Sequence, residues 1–176
     1  MRIIGGEFRS RRLKSAPGMD VRPTPDRLRE TLFDVLSDRI VGAVFVDAYA
    51  GTGAVGIEAL SRGARKAVFL ERSREAASLI HENLRSLGLG QRAAVIKGKA
   101  ASTLNRTTAD IVFLDPPYTR EGEYETALYA LAEAPPPLVI AQHSKHLDLK
   151  TAYGALQRFR TLKQGDNVLS FYAPSE

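Results

Sequence analysis

The chain has 176 residues, 44% of them hydrophobic and 26% charged, with a net charge of +5 and no cysteine. That length fits one domain, or one domain with an appendage, and supplies enough apolar side chains for a real core. The composition excludes disulfides, thiolate metal sites and any cysteine nucleophile; no apolar run is long enough to cross a membrane, Met1-Arg2-Ile3-Ile4-Gly5-Gly6 lacks the apolar stretch of a signal peptide, and a cytoplasmic location is expected.

The first fourteen residues carry Arg2, Arg9, Arg11, Arg12 and Lys14 against Glu7, a surplus of four positive charges in one short segment. A phosphate backbone is the natural partner for such a segment, and Arg9, Arg11, Arg12 and Lys14 are its candidate RNA-binding residues. Gly5-Gly6 between short apolar stretches predicts a small hairpin or an extended arm. Pro17, Gly18, Pro23 and Pro25 then mark a linker. The expected division is a basic hairpin or arm with its linker over 1–24 and the main domain over 25–176.

From Asp26 the apolar residues Leu28, Leu32, Phe33, Leu36 and Ile40 fall at helical spacing, which predicts an amphipathic helix; Arg27 and Arg29 on it either help bind RNA or the cofactor edge, or are solvated. Beyond it, strand and helix patterns alternate. Strands are expected at Ala43–Ala48, Lys66–Glu71, Ala93–Ile96, Ile111–Asp115 and Leu138–Ala141. Helices are expected through about Ser61, over Ser73–Leu87 with Gly88 past its end, and over Glu121–Ala134, stopped by Pro135-Pro136-Pro137. Ala155–Leu162 and Val168–Ala173 flank Gln164-Gly165-Asp166-Asn167 as a β-hairpin. Continuous apolar strands alternating with helices imply an α/β fold, a mostly parallel sheet with helices on both faces and an antiparallel C-terminal hairpin edge.

The first strand enters Asp47-Ala48-Tyr49-Ala50-Gly51-Thr52-Gly53-Ala54-Val55-Gly56. Gly51, Gly53 and Gly56 match G-x-G-x-x-G, a turn that lets a ligand approach the backbone at a helix N-terminus; Glu71, about 20 residues on, stands where a carboxylate can bind ribose hydroxyls. This order of strand, loop, helix and acid points to a nucleotide-like cofactor. Asp47, close to the loop, would repel a phosphate but attract the amino group of a methionine moiety. S-adenosylmethionine therefore fits better than a dinucleotide.

Ile111-Val112-Phe113-Leu114 runs into Asp115-Pro116-Pro117-Tyr118. Two prolines with fixed φ and no donor N–H stop the strand and hold a stiff corner at its end. One carboxylate, unpaired carbonyls and one ring suit a planar base with an exocyclic NH₂, whose hydrogens are accepted while its face is stacked. Both halves of this site belong at the carboxyl ends of parallel strands, where open α/β sheets bind ligands.

With both motifs placed, and with Met1-Arg2-Ile3-Ile4-Gly5-Gly6, Arg11-Arg12-Leu13, Arg22-Pro23-Thr24-Pro25-Asp26-Arg27-Leu28-Arg29-Glu30-Thr31-Leu32-Phe33, Asp47 to Ala64 and Leu169-Ser170-Phe171-Tyr172, the chain resembles class I S-adenosylmethionine-dependent methyltransferases of the amino-methylating type. More closely it resembles the RsmD family, bacterial 16S rRNA guanine-N2 methyltransferases. The resemblance implies a Rossmann-like sheet of roughly seven strands, the last antiparallel, and methyl transfer to N2 of a guanine in 16S rRNA, either naked or in the small-subunit particle, by a monomer without metal. It implies catalytic or base-holding roles for Asp115, Pro116, Pro117 and Tyr118. It implies cofactor contacts at Asp47, Ala50, Gly51, Thr52, Gly53, Glu71, Arg72 and Ala100.

Two departures stand out. Lys99 occupies the place where many methyltransferases hold the adenine amine with an acid, so adenine recognition must lean on backbone near Ala100. Gln142-His143 stands near the end of the fifth strand, where relatives often carry an acid. Alternatives are an amino-methyltransferase acting on adenine or cytosine in DNA or another RNA, and a non-catalytic RNA-binding ribosome-assembly factor. Asn83 and Arg85 are expected on a packing and solvent face. His143 and His146 lack the further ligands of a metal site.

Overall fold

The structure is a computed structural model that describes residues 1–15, 17 and 24–176. Gly18, Arg22 and Pro23, invoked above, lie outside the described residues. Apolar runs bounded by turn residues form the strands β1 (Val44–Asp47), β2 (Lys66–Glu71), β3 (Ala93–Lys97), β4 (Ile111–Leu114) and β5 (Leu138–Ser144). The polar-and-apolar C-terminal segments form β6 (Ala152–Tyr153), β7 (Leu156–Gln164) and β8 (Asn167–Pro174). The order across the single eight-stranded sheet is β3-β2-β1-β4-β5-β8-β7-β6. β1 to β5 are parallel, while β8 is antiparallel to β5 and β7 to β8. The expected α/β fold is present, with the C-terminal hairpin formed by β7 and β8 as its antiparallel edge; the two-residue β6, which adds a third strand to that edge, had no readable pattern.

Helices are α1 (Asp26–Val35), α2 (Ser37–Ile40), α3 (Ala54–Ser61), α4 (Arg74–Ser86), α5 (Ala100–Leu104) and α6 (Gly122–Ala132). The single amphipathic helix expected from Asp26 is two. At Leu36 the backbone flattens to φ −84°, ψ 0°, and Arg39 N–H turns back to the Leu36 carbonyl at 2.8 Å. Both pieces keep the apolar stripe inward, because Leu28, Leu32, Phe33, Leu36 and Ile40 are all buried.

Successive strand residues point to opposite faces. Phe45, Phe69, Phe113 and Phe171 pack on one face under α1, α3 and α4, while Val46, Val68, Val112 and Tyr172 pack on the other against Leu104 of α5 and Tyr124 and Leu128 of α6. Ile3 and Leu13 belong to the first of these clusters, together with Leu169 and Phe171 from the far end of the chain.

The basic N-terminal segment folds back on itself through an antiparallel bridge of Arg2 with Arg12 and lies across α3 and α4. Ile4 N–H donates to Glu58 at 2.9 Å, Phe8 N–H to Ser61 Oγ at 3.0 Å, and Lys14 N–H to Asn83 Oδ1 at 2.7 Å. Arg29, expected to be solvated or ligand-facing, is instead wholly buried: its Nη2 donates to the Arg2 carbonyl at 2.8 Å and to Asp26 at 2.9 Å. It faces the fold, not an RNA, because the segment and α3 close over it.

Candidate active site

The carboxyl ends of β1 and β4 are adjacent, with Asp47 in register with Phe113. The chain leaves the two strands in opposite directions across the sheet, so a crevice opens between the loops that follow them. A cavity of about 690 Å³ lies there. Its walls include Asp47, Ala50, Gly51 and Thr52 from the first loop, Glu71 and Arg72 after β2, and Ala100 at the start of α5. The opposite wall is Asp115, Pro116, Pro117 and Tyr118. Of the residues singled out for cofactor and base, Gly53 alone is not in the lining.

Gly53 shapes the loop from behind. It has φ +83° and its N–H closes a turn onto the Ala50 carbonyl at 2.8 Å, a left-handed conformation that favours glycine. Gly56 serves packing: a Cβ there would stand 2.4 Å from Cε1 of the buried Phe69 ring. Its absence lets α3 rest directly on β2. Glu71 braces the same loop, with Oε2 accepting the Gly51 N–H at 2.7 Å and Oε1 the Ser73 N–H at 2.9 Å. A carboxylate has about four acceptor positions, so it keeps capacity for hydroxyl donors as well.

Asp47 is almost fully buried, and its Oδ2 accepts the Gly56 N–H at 3.0 Å. Burial pushes its carboxyl up to about 7; the Gly56 bond offsets part of this, while the charges of Asp115 and Glu71 push in the same upward direction. Three acidic side chains thus line the two walls of the cleft. Such a cleft disfavours anions and favours a ligand bringing positive charge.

At the other wall, Thr24 Oγ1 donates to Asp115 Oδ2 at 3.3 Å, joining the start of α1 to the proline corner. Tyr118 opens a short 3₁₀ turn, Tyr118–Arg120, and is 48% exposed, so one part of its ring faces solvent and the cleft.

Other lining residues had weaker sequence signals. Thr24 sits against Asp115 through a contact spanning ninety-one positions, which no local pattern reveals. Tyr49 and Glu123 both line the cleft and are hydrogen-bonded to each other; burial and the Glu123 carboxylate hold the Tyr49 hydroxyl well above its usual range, so it stays a neutral donor. Glu123 is also within 3.5 Å of Arg72 and 3.7 Å of Arg120. Gln142 lines the cleft from β5, with its Nε2 donating to Asn167 Oδ1 at 3.2 Å. Its position as an uncharged residue at a strand end was the available cue. His143, next to it, is a packing histidine: Nε2 is 2.8 Å from Ser170 Oγ, and burial lowers its proton affinity. Among the described residues no group of three potential ligands could hold a metal ion.

Arg9, Arg11, Arg12 and Lys14 are not in the cleft lining. They are exposed on the N-terminal segment, with Arg11 Nη2 donating to the Ser86 carbonyl at 3.2 Å and Lys14 Nζ 3.5 Å from Glu82. Asn83, expected on a packing and solvent face, is buried and bridges the segment to the cleft: its Nδ2 donates to the Lys14 carbonyl at 3.1 Å and to the Thr52 carbonyl at 3.4 Å.

Residues 1–173 match the family model described as "Conserved hypothetical protein 95". The chain is 44% identical over 122 residues to "Ribosomal RNA small subunit methyltransferase D" of Escherichia coli K12, covering 68% of this chain and 61% of that protein, so the match spans about three fifths of the relative's length. It is 31% identical to the Bacillus subtilis protein named "Putative rRNA methyltransferase YlbH", covering 98% of both. A solved structure from Thermus thermophilus, named only as a hypothetical protein, superposes with a TM-score of 0.81 at 34% identity, covering 97% of this chain and 98% of the other.

Proposed function

The chain belongs to the family described as Conserved hypothetical protein 95, and from that premise we propose that it transfers a methyl group from S-adenosylmethionine to the exocyclic N2 amine of a guanine in small-subunit rRNA. The observation that carries the proposal is the single cleft with the glycine loop, Asp47 and Glu71 on one wall and Asp115 to Tyr118 on the other. The names of the E. coli and B. subtilis relatives support rRNA as the substrate. The cytoplasm, where rRNA is made and assembled in bacteria, is the location the proposal requires.

The residues present fit the cofactor. A cavity of about 690 Å³ is within the usual range for a ligand of this size, and the three acidic side chains lining it suit a cationic ligand. Asp47 would hold the methionine amino group, Glu71 the ribose hydroxyls, and the Gly51–Gly53 turn would let the ligand lie against backbone, with Ala50, Thr52, Arg72 and Ala100 completing the surround. When bound, the cofactor supplies an electrophilic methyl group.

The protein's own task is to present a poor nucleophile. The guanine amine is delocalised into its ring. Asp115 and the Pro116 carbonyl accept its two N–H hydrogens and turn the lone pair toward the methyl donor. Proline at 116 and 117 fixes that corner, so little motion is left to freeze on binding. Most of the acceleration comes from this positioning, and the Asp115 carboxylate adds an electrostatic share as positive charge grows on nitrogen. Tyr118 stacks on the base. Residues 25–176 form the methyl-transfer unit in this proposal, and the basic segment within 1–24 contacts the RNA backbone.

The test is transfer of tritium from labelled cofactor to rRNA lacking the modification, followed by nucleoside analysis. N2-methylguanosine is expected. Label on adenine or cytosine would move the protein to the other amino-methylating class, and failure to bind S-adenosylmethionine by calorimetry would make it a non-catalytic RNA-binding factor.

A further inference from the structure

We propose that β7 carries a stacking platform for unpaired nucleotides of the RNA substrate, separate from both the cleft and the basic N-terminal segment. The proposal rests on the reading of the chain as an RNA methyltransferase. β8 pairs along one side of β7, but on the other side β6 covers only Leu156 and Gln157, and Arg158 N–H reaches Thr151. From Phe159 to Gln164 that outer edge is unpaired among the described residues. The strand carries Arg158, Arg160 and Lys163 and no acid.

The register explains what is displayed there. Arg158 stands opposite Tyr172 and Arg160 opposite Phe171, so Phe159 is the extra residue of a β-bulge. In a regular strand Phe159 and Arg160 would point to opposite faces. The bulge re-aims them to one side: the Phe159 ring centroid is 6.3 Å from that of Phe171, and the Arg160 guanidinium is 5.7 Å from the same Phe171 centroid. Phe171 packs in the cluster under α1, so ring and guanidinium sit together on that face. Phe159 nevertheless remains 57% exposed. Two flat groups side by side, one of them cationic and both open to solvent, match a nucleobase and the phosphate next to it.

Pairing with a second copy is disfavoured by the same features. Edge-to-edge association would set Arg160 and Lys163 of one chain against those of the other, and a bulge interrupts the ladder such pairing needs. Charge complementarity favours a polyanion. The strand also leads to the cleft: Gln164 Nε2 donates to Thr31 of α1 at 3.1 Å, and Asn167, its partner across the hairpin, accepts from the cleft residue Gln142. Phe159 lies five positions along β7 from Gln164, or about 17 Å at about 3.3 Å per residue, a distance a few extended nucleotides can span.

The chain has no tryptophan, so Phe159→Trp creates a single fluorescent reporter. Its emission should be quenched on titration with a single-stranded RNA of mixed sequence and not with the same strand annealed to its complement. Phe159→Ala should weaken binding of the single strand about tenfold, and Arg160→Gln should lower the slope of log affinity against log salt by about one. Methyl transfer by both variants should show a raised KM at unchanged kcat, with cofactor affinity as in the parent. Parent-level RNA affinity and KM in Phe159→Ala, in a preparation whose parent methylates rRNA, overturns the platform alone. A parent that sediments as a dimer and is made monomeric by Phe159→Ala assigns the edge to self-association and also overturns it. A parent that neither binds nor methylates RNA removes the functional reading on which the platform stands.

Discussion

Asp47→Asn separates the two demands placed on the buried carboxyl of the cleft. Asparagine keeps the shape and can still accept the Gly56 N–H through its amide oxygen, but it cannot ionise. In the folded protein burial raises the Asp47 carboxyl from its ordinary value of 3.8 to about 7. Between those two values the folded state holds a proton that the unfolded chain has lost, so stability falls as pH rises through this window and levels off above it. Treated as one site, the penalty is just under about 2 kcal/mol at pH 5 and just over about 4 kcal/mol at pH 8. The stability of Asp47→Asn relative to the parent should therefore improve by roughly 2–3 kcal/mol between pH 5 and pH 8, without cofactor. Urea unfolding of both proteins at the two pH values measures this, and taking the difference between them cancels the other titrating groups. A difference that is the same at both pH values within about 0.5 kcal/mol refutes the assignment of a buried, proton-holding carboxyl. The variant should also bind S-adenosylmethionine more weakly than the parent at pH 8, since the charge that costs stability is the charge proposed above to receive the amino group.

Asp115→Ala should keep cofactor affinity and lose on the order of 10²–10³ in turnover, read by tritium transfer; near-parental turnover would remove Asp115 from the mechanism. Tyr118→Ala should cost about 1–3 kcal/mol in substrate binding with cofactor affinity unchanged, measured by calorimetry with each ligand, and the reverse pattern would make the ring a packing element. Reversing the charges at Arg9, Arg11 and Arg12 to glutamate should weaken rRNA binding and flatten its salt dependence, checked by filter binding over a salt series. Gly56→Ala should destabilise by about 1–3 kcal/mol, because overpacking against Phe69 outweighs the gain of up to about 1 kcal/mol in helix propensity; thermal unfolding measures it, and adding Phe69→Leu should recover part of the loss.

The parallel sheet is legible in the sequence because each of its strands is an apolar run with a punctuated end. The pattern over Lys66–Glu71 matches its strand to the residue, and those of Val44–Asp47 and Ile111–Leu114 to within one or two positions. The apolar pattern of β5 stops three residues short. Gln142, His143 and Ser144 look like a loop, yet β8 supplies partners for the first two, Asn167 and Ser170, from far along the chain. α5 has no readable signal because Ala100-Ala101-Ser102-Thr103-Leu104 is too short to display a period. The two walls of the cleft are readable as motifs, since each is a local run of residues. The places of Arg29 and Asn83 are not, because what buries them, the N-terminal segment folding over α1, α3 and α4, is set by contacts twenty-seven and sixty-nine positions apart. A charged or amide side chain on a helix is ordinarily solvated, and only those distant partners offset the cost of burying it.

The cluster that joins Ile3 and Leu13 to Leu169 and Phe171 has a consequence for the protein's own synthesis. Strand β1 lies between β2 and β4, so it waits for a neighbour made sixty-six residues later, and the layer beneath α1 waits for β8, the last strand. Such long-range closure is slow and leaves apolar faces bare meanwhile. Until β8 has left the exit tunnel this core cannot close, and a chain stopped short of Leu169 would keep the apolar side chains of Ile3 and Leu13 without their partners.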